Sequence, residues 1–96
     1  MGAPEEAAQG FAEGVRECAR NGRHLYLREL LKFRDQCTDD AEVIGDALVT
    51  SAGLGHIDVV RLLLEESPDF DYIAAAIQAA REAGKEDLVE LLNGWS

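Results

Sequence analysis

The sequence predicts an all-α domain made of three stacked helix-turn-helix repeats that form a short solenoid. Three observations support this prediction. The 96 residues are 47% hydrophobic with only two prolines, so one folded core is expected. Valine, isoleucine and threonine lie within patterns of helical period, and a glycine followed by a leucine-rich helix occurs three times. We therefore expect a single domain over residues 1–96, with approximate repeats at 5–36, 39–66 and 68–95.

The first repeat begins with an amphipathic helix. The stretch EEAAQGFAEGVRECAR has apolar residues on one helical face, and Asn21-Gly22 is typical of a helix end. The inward residues are expected to be Phe11, Val15, Cys18 and Ala19. The following segment, HLYLRELLKF, predicts a second helix. Its expected inward residues are Leu27, Leu30, Leu31 and Phe33.

The second repeat follows the turn-forming segment DQCTDD. Asp39 precedes Glu42 by three residues, which is typical of a capping box, so the third helix should begin near Asp40. Gly53 and Gly55 should end it. Its inward residues are expected to be Val43, Ile44, Ala47, Leu48 and Ala52. The stretch HIDVVRLLLEE predicts a fourth helix, with Ile57, Val60, Leu63 and Leu64 inward and Val59 and Leu62 flanking.

The third repeat has a start signal in Ser67-Pro68, because serine can cap a helix and proline suits its first position. The fifth helix should begin near Asp69 and end at Gly84. Its expected inward residues are Ile73, Ala76, Ile77 and Ala80. The stretch KEDLVELLNGW predicts a sixth helix with Leu88, Leu91 and Leu92 inward. Trp95, after that helix, either covers the end of the core or forms an exposed anchor.

The three glycine-containing blocks can be aligned. They read ARNGRHLYLRELL (19–31), AGLGHIDVVRLLL (52–64) and AREAGKEDLVELL (80–92). Their Leu-Leu pairs, at 30/31, 62/63 and 91/92, lie 32 and 29 residues apart, a period typical of helix-turn-helix solenoids. A left-handed glycine would let the chain reverse within a few residues.

On these residues, GHIDVVRLLLEE closely resembles the second helix of an ankyrin repeat, and ARNG at 19–22 resembles the end of that repeat's first helix. The resemblance covers roughly residues 8–93 and implies a protein-binding fold. It also implies that His24 and His56, which follow the turn glycines, are structural residues that hydrogen-bond a neighbouring loop. The pattern is also compatible with another kind of α-hairpin repeat.

The net charge of -10 is unevenly distributed. Residues 1–34 carry six basic and five acidic side chains, whereas residues 35–96 carry three basic and fourteen acidic ones. This surface disfavours nucleic-acid binding and favours a basic protein partner, unless the charge serves only solubility. No segment predicts a membrane span or an export signal. The two cysteines are too few for a disulfide framework, which favours a reduced, cytoplasmic setting.

The residues suggest no catalytic constellation, so we expect neither an enzyme nor a cofactor. A zinc site using Cys18, Cys37, His24 and His56 is the alternative, but their spacings match no zinc pattern. The paired carboxylates fit helix starts and exposed faces better than acid–base catalysis.

The leading functional prediction is a non-catalytic interaction module or adaptor that binds a partner through the concave face and the loops between repeats. Phe70 is either the hydrophobic contact of that surface or a buried residue. The predicted partner-binding residues are Asp39, Asp40, Asp46, Thr50, Asp69, Phe70, Asp71, Gln78, Arg81 and Glu82. The alternative is an assembly subunit that stacks through uncapped terminal repeats. A monomer or weak homo-oligomer is expected.

Overall fold

The computed structural model describes residues 4–32, 40–66 and 68–95, and their side chains from residue 10 onward with the exception of Asp40. Within these residues the chain forms helices and no strand, which confirms the all-α prediction. The six helices are α1 (Pro4–Asn21), α2 (His24–Leu31), α3 (Asp40–Leu54), α4 (Ile57–Leu64), α5 (Phe70–Glu82) and α6 (Glu86–Asn93). None of these helices is both long and apolar enough to cross a membrane.

Three turns of the same geometry join the helices in pairs. The turn glycines are Gly22, Gly55 and Gly84, with φ values of 70°, 82° and 74°. In each turn the N–H after the glycine donates a hydrogen bond to the carbonyl five residues earlier, as in a Schellman motif. These bonds join Arg23 to Cys18 (3.1 Å), His56 to Ser51 (3.0 Å) and Lys85 to Ala80 (2.8 Å). The predicted helix ends at Gly22, Gly55 and Gly84 are therefore confirmed, whereas Gly53, which was also expected to end the third helix, lies within α3. Each turn glycine allows a reversal that other residues adopt only with strain.

The resulting helical hairpins lie next to one another. We name α1, α3 and α5 the inner helices and α2, α4 and α6 the outer helices. Each outer helix packs on the inner helix of its own hairpin, α3 packs between α1 and α5, and α2 contacts α4. The core therefore lies between the inner and outer helices.

The buried residues follow the predicted apolar faces of the inner helices. All four predicted residues of α1 are buried, as are four of the five in α3, while Val43 is partly buried. In α5 only Ala76 and Ala80 are buried. The outer helices contribute Leu27, Leu63, Leu64, Leu88 and Leu92 to the buried core. Ser51 is the buried polar side chain among these residues, and its hydroxyl donates within α3 to the carbonyls of Ala47 (2.8 Å) and Leu48 (3.1 Å).

The prediction for α4 was partly wrong. Val59, which was expected to flank the core, is fully buried, whereas Ile57, which was expected to point inward, is 36% exposed. The reason is that α4 packs against both α2 and α3. A helix covered on two sides buries adjacent residues, so a single apolar stripe does not describe it.

The start of α5 lies slightly after its predicted position. Asp69 is the N-cap, with an extended backbone at φ −61° and ψ 149°, and the first helical residue is Phe70. Pro68 therefore precedes the cap instead of occupying the first helical position. Ser67 and Asp39, the predicted capping residues, lie outside the described residues, although α3 begins at Asp40 as expected.

The alignment of the outer helices was wrong by one residue in the first hairpin. Counting from the turn glycines, Leu30 corresponds to Leu63 and Leu92, so the hairpins are offset by 33 and 29 residues. The Leu-Leu pairs placed Leu30 opposite Leu62 instead. One residue separates each turn glycine from the following helix. The error arose because the Leu-Leu pair lies eight and nine residues after Gly22 but seven and eight residues after Gly55 and Gly84.

Candidate functional site

The packing of α5 on α3 includes one very close approach. The ring of Tyr72 lies directly over Gly45, so a Cβ added to Gly45 would overlap the ring. Gly45 is buried, and Tyr72 is partly buried at the same contact. A glycine in α3 therefore holds an aromatic side chain of α5 at the edge of the two inner helices.

Four carboxylates surround this tyrosine. Partial burial raises the pKa of Tyr72, and the negative charges of Glu42, Asp46, Asp69 and Asp71 raise it further. Glu42 and Asp46 belong to α3, whereas Asp69 and Asp71 lie at the start of α5. All four side chains are exposed. The two inner helices thus bring together acidic residues that are far apart in the sequence.

Phe70 adds an apolar group beside these charges. It is the first residue of α5, and 79% of it is exposed. Of the two alternatives for Phe70, the exposed one is correct. We call the set Glu42, Asp46, Asp69, Phe70, Asp71 and Tyr72 the Tyr72 surface. It combines an exposed aromatic ring with negative charge, which can attract a basic ligand.

Four of the predicted binding residues belong to this surface, and those of the others that the structure describes lie outside it. Thr50 is exposed one turn along α3 from Asp46. Gln78 donates a hydrogen bond to Glu82 Oε1 at 3.3 Å. Arg81 lines a groove between α5 and α6 with Val89 and Glu90, away from Tyr72. Asp39 and the Asp40 side chain lie outside the described residues.

Sequence reasoning missed Glu42 and Tyr72 as members of the surface. Glu42 was interpreted only as a capping partner, and Tyr72 was not among the residues that the helical periodicity assigned to the apolar face of α5. The available signal was Gly45, a glycine in the middle of a helical pattern, which often marks a close packing contact.

The two histidines form contacts between the first and second hairpins. His56 Nε2 donates a hydrogen bond to the carbonyl of Arg20 at 3.1 Å, and a Cβ added to Gly22 would lie 2.7 Å from His56 Nδ1. This confirms the structural interpretation of His56. His24 instead lies 3.8 Å from Asp58 through Nδ1 and Oδ2, with both side chains well exposed.

Both histidines follow a turn glycine, as expected, but His56 lies one residue after Gly55 and His24 two residues after Gly22. His56 is the N-cap of α4, and the corresponding N-caps of α2 and α6 are Arg23 and Lys85. Lys85 packs over Gly55 much as His56 packs over Gly22: a Cβ on Gly55 would lie 3.0 Å from Lys85 Cε. His24 is one residue further along its helix.

The described residues do not assemble a metal site or a reactive thiol. Among them, no group of three or more His, Cys, Asp or Glu side chains could hold a metal ion. Cys18 is buried, and burial raises the pKa of its thiol, which disfavours the nucleophilic thiolate. Cys37 lies outside the described residues.

The His24–Asp58 pair lies in a groove. It runs between α2 and α4, and its other described lining residues are Arg28, Arg61, Leu62 and Glu65. No hydroxyl or thiol lines it among these residues, so the histidine has no nucleophile to activate there.

The chain matches no protein-family model, no curated protein and no solved structure.

Proposed function

We propose that this protein is a non-catalytic interaction module, built as a short ankyrin-like solenoid, that binds a basic segment of a partner protein at the Tyr72 surface. The solenoid interpretation is supported by the three turns of equal geometry and by the side-by-side packing of the inner helices. In such an array the inner helices and the loops before them form the binding face.

The observation that carries the proposal is the composition of the Tyr72 surface. Its four carboxylates are exposed, and Phe70 presents most of its ring to solvent beside them. Negative charge speeds the encounter with a basic partner, and an aromatic side chain contributes contact area at low entropic cost. Arginine or lysine side chains of the partner would pair with Asp46 and Asp71, with Phe70 against their apolar parts.

A non-catalytic role also fits the remaining surface. Charged side chains line the groove that contains Lys85, Glu86 and Asp87 and the groove that contains His24 and Asp58, and neither groove has a serine, threonine or cysteine among its described lining residues. The acidic charge opposes binding to nucleic acid. The small number of cysteines supports a reducing, cytoplasmic setting.

The proposal is tested by comparing two triple variants with equal change in charge. The test variant is Asp46→Asn/Asp69→Asn/Asp71→Asn. The control variant, Glu86→Gln/Asp87→Asn/Glu90→Gln, changes exposed acidic residues of α6. Each variant removes two negative charges at the start of a helix and one further along a helix, so the two variants lose similar helix-dipole energy.

Both variants and the unaltered protein are used to capture partners from a cell extract, and the association rate of each captured partner is measured at about 50 and 200 mM salt. We expect the test variant to lose the partner and the control to keep it. The association rate of the unaltered protein should fall as salt increases. Equal loss in both variants, or a rate that salt leaves unchanged, would contradict the proposed surface.

A further inference from the structure

The two ends of the hairpin array differ in polarity. Counted from the turn glycines, each residue of the first hairpin has counterparts in the second and third. Tyr26 in α2 corresponds to Val59 in α4 and Leu88 in α6. Val59 and Leu88 are buried, whereas Tyr26 is 53% exposed. The same position is thus covered in two hairpins and uncovered in the first.

The position of Tyr26 is the one that faces a preceding hairpin. Leu88 lines a groove of the third hairpin together with Gly55 and Ile57 of the second. Its counterpart Val59 belongs to α4, which packs against α2 of the first hairpin. Tyr26 would accordingly be buried if another helical surface lay against α2 on the side away from α4.

The neighbouring residue is apolar where the other hairpins are charged. Leu25 is 66% exposed, and its counterparts are Asp58 and Asp87, which are also exposed. An aspartate at this position is therefore compatible with the fold. Packing within the chain does not require a leucine at this position, yet Leu25 places a second apolar side chain beside Tyr26. We call Leu25 and Tyr26 the α2 patch.

The opposite end of the array is polar at the corresponding stacking positions. Arg81 in α5 replaces the buried residues Ala19 and Ala52, and it is exposed. Asn93 in α6 is exposed at the position that Leu64 fills with a buried side chain. Polar outer residues of this kind cap a solenoid. The third hairpin is therefore a poor surface to cover the α2 patch of another molecule.

The charge distribution favours a second copy of the chain as the occupant, because the first hairpin is the part of the chain where two copies do not repel each other. Residues 4–32 carry five acidic and five basic side chains, whereas residues 40–95 carry twelve acidic and three basic. Two copies repel each other through their second and third hairpins, but their first hairpins are neutral. Glu29, one turn from the α2 patch, is already paired with Lys32 at 2.6 Å.

We propose that the protein forms a two-fold symmetric dimer in which the α2 patches of two copies pack against each other. Symmetric contact of identical patches closes after two copies. The acidic hairpins then lie at the far ends, and each Tyr26 obtains the cover that Val59 and Leu88 have within the chain. This inference does not depend on the proposed function, because the α2 patch and the Tyr72 surface share no residue.

The dimer is tested with the whole chain by sedimentation equilibrium from about 1 µM to about 1 mM. We expect a monomer–dimer equilibrium. Leu25→Asn should weaken it at least about ten-fold, because each dimer loses two buried leucines. Leu54→Asn is the matched control: Leu54 is 49% exposed at the end of α3, its counterpart in the first hairpin is Asn21, and its substitution should leave the dimer unchanged.

Tyr26→Ser provides a second variant of the patch with the same expected loss. Circular dichroism checks that each variant keeps its helices. The inference is overturned by a strictly monomeric protein at the highest concentration, by species larger than a dimer, or by equal weakening in Leu25→Asn and Leu54→Asn.

Discussion

Comparison of alanine substitutions at the three turn glycines can measure how much the contact between the first two hairpins contributes to stability. Gly22, Gly55 and Gly84 have nearly the same φ, but a Cβ would find different surroundings at each. At Gly84 nothing lies within 4 Å, and at Gly55 the nearest atoms belong to the Lys85 side chain. At Gly22 the Cβ would lie 2.7 Å from His56 Nδ1. Alanine substitution at the three sites should therefore separate backbone strain from the hairpin contact.

The magnitudes follow from these surroundings. A left-handed backbone costs an alanine about 1–2 kcal/mol relative to glycine, and this cost applies at all three sites. Gly84→Ala should lower the free energy of unfolding by that amount, and Gly55→Ala by nearly the same because the exposed Lys85 side chain can move. Gly22→Ala must also displace the His56 ring and break its hydrogen bond to Arg20, which adds about 0.5–1.5 kcal/mol. The expected total is about 1.5–3.5 kcal/mol.

Urea denaturation followed by circular dichroism measures the three free energies of unfolding. The effect of alanine on the unfolded chain is common to the three variants and cancels in their differences. The excess cost of Gly22→Ala should vanish in a His56→Ala background, because the displaced ring is then absent. The reasoning would be refuted if Gly22→Ala cost no more than Gly84→Ala, or if the excess persisted without His56.

Two further predictions concern the contact between α3 and α5. Gly45→Ala should destabilise the protein by about 1–3 kcal/mol because its Cβ overlaps the Tyr72 ring. Gly53→Ala in the same helix should stabilise the protein by up to about 1 kcal/mol, because the nearest atom to its Cβ is Ala79 Cβ at 3.7 Å. Urea denaturation measures both variants, and a change of stability in the same direction for both would contradict this prediction. Because the pKa of Tyr72 is raised in the folded protein, the contribution of Tyr72 to the free energy of unfolding should be constant at pH values below the ordinary tyrosine pKa of 10.0. This contribution should decrease as the pH rises through the folded-state pKa. Denaturation between about pH 9 and 11 should show this decline and a smaller one in Tyr72→Phe, and an equal decline in both would exclude Tyr72 as the cause.

The helices could be predicted from the sequence because their signals are local. The face of α1 was correct, since Phe11, Val15, Cys18 and Ala19 form one apolar stripe that serves its contacts with both α2 and α3. The helix ends were correct because glycine at a left-handed turn is a strong stop signal. These features depend on neighbours within a few residues along the chain.

The errors occurred where packing on a second side decides the outcome. Val59 and Ile57 have similar hydropathy, and only the positions of α2 and α3 determine that Val59 is buried. The Tyr72 surface was partly predicted for a similar reason. Asp69, Phe70 and Asp71 lie together in the sequence, but their proximity to Glu42 depends on the register between α3 and α5. The periodicity of apolar residues within a single helix gives no information about that register between two helices.

The turns also explain how three hairpins of low sequence similarity share one geometry. The residue whose carbonyl accepts the bond from the N-cap is Cys18, Ser51 or Ala80, and each is fully buried. What these residues share is small size, which allows the outer helix to fold back closely over the end of the inner helix. Even the polar Ser51 is accommodated, because its hydroxyl donates to carbonyls of its own helix and so stays hydrogen-bonded when it is buried. The turn therefore constrains the volume of the side chain at this position and not its identity. Because different small residues satisfy that constraint, the three hairpins resemble one another more in backbone geometry than in amino-acid sequence.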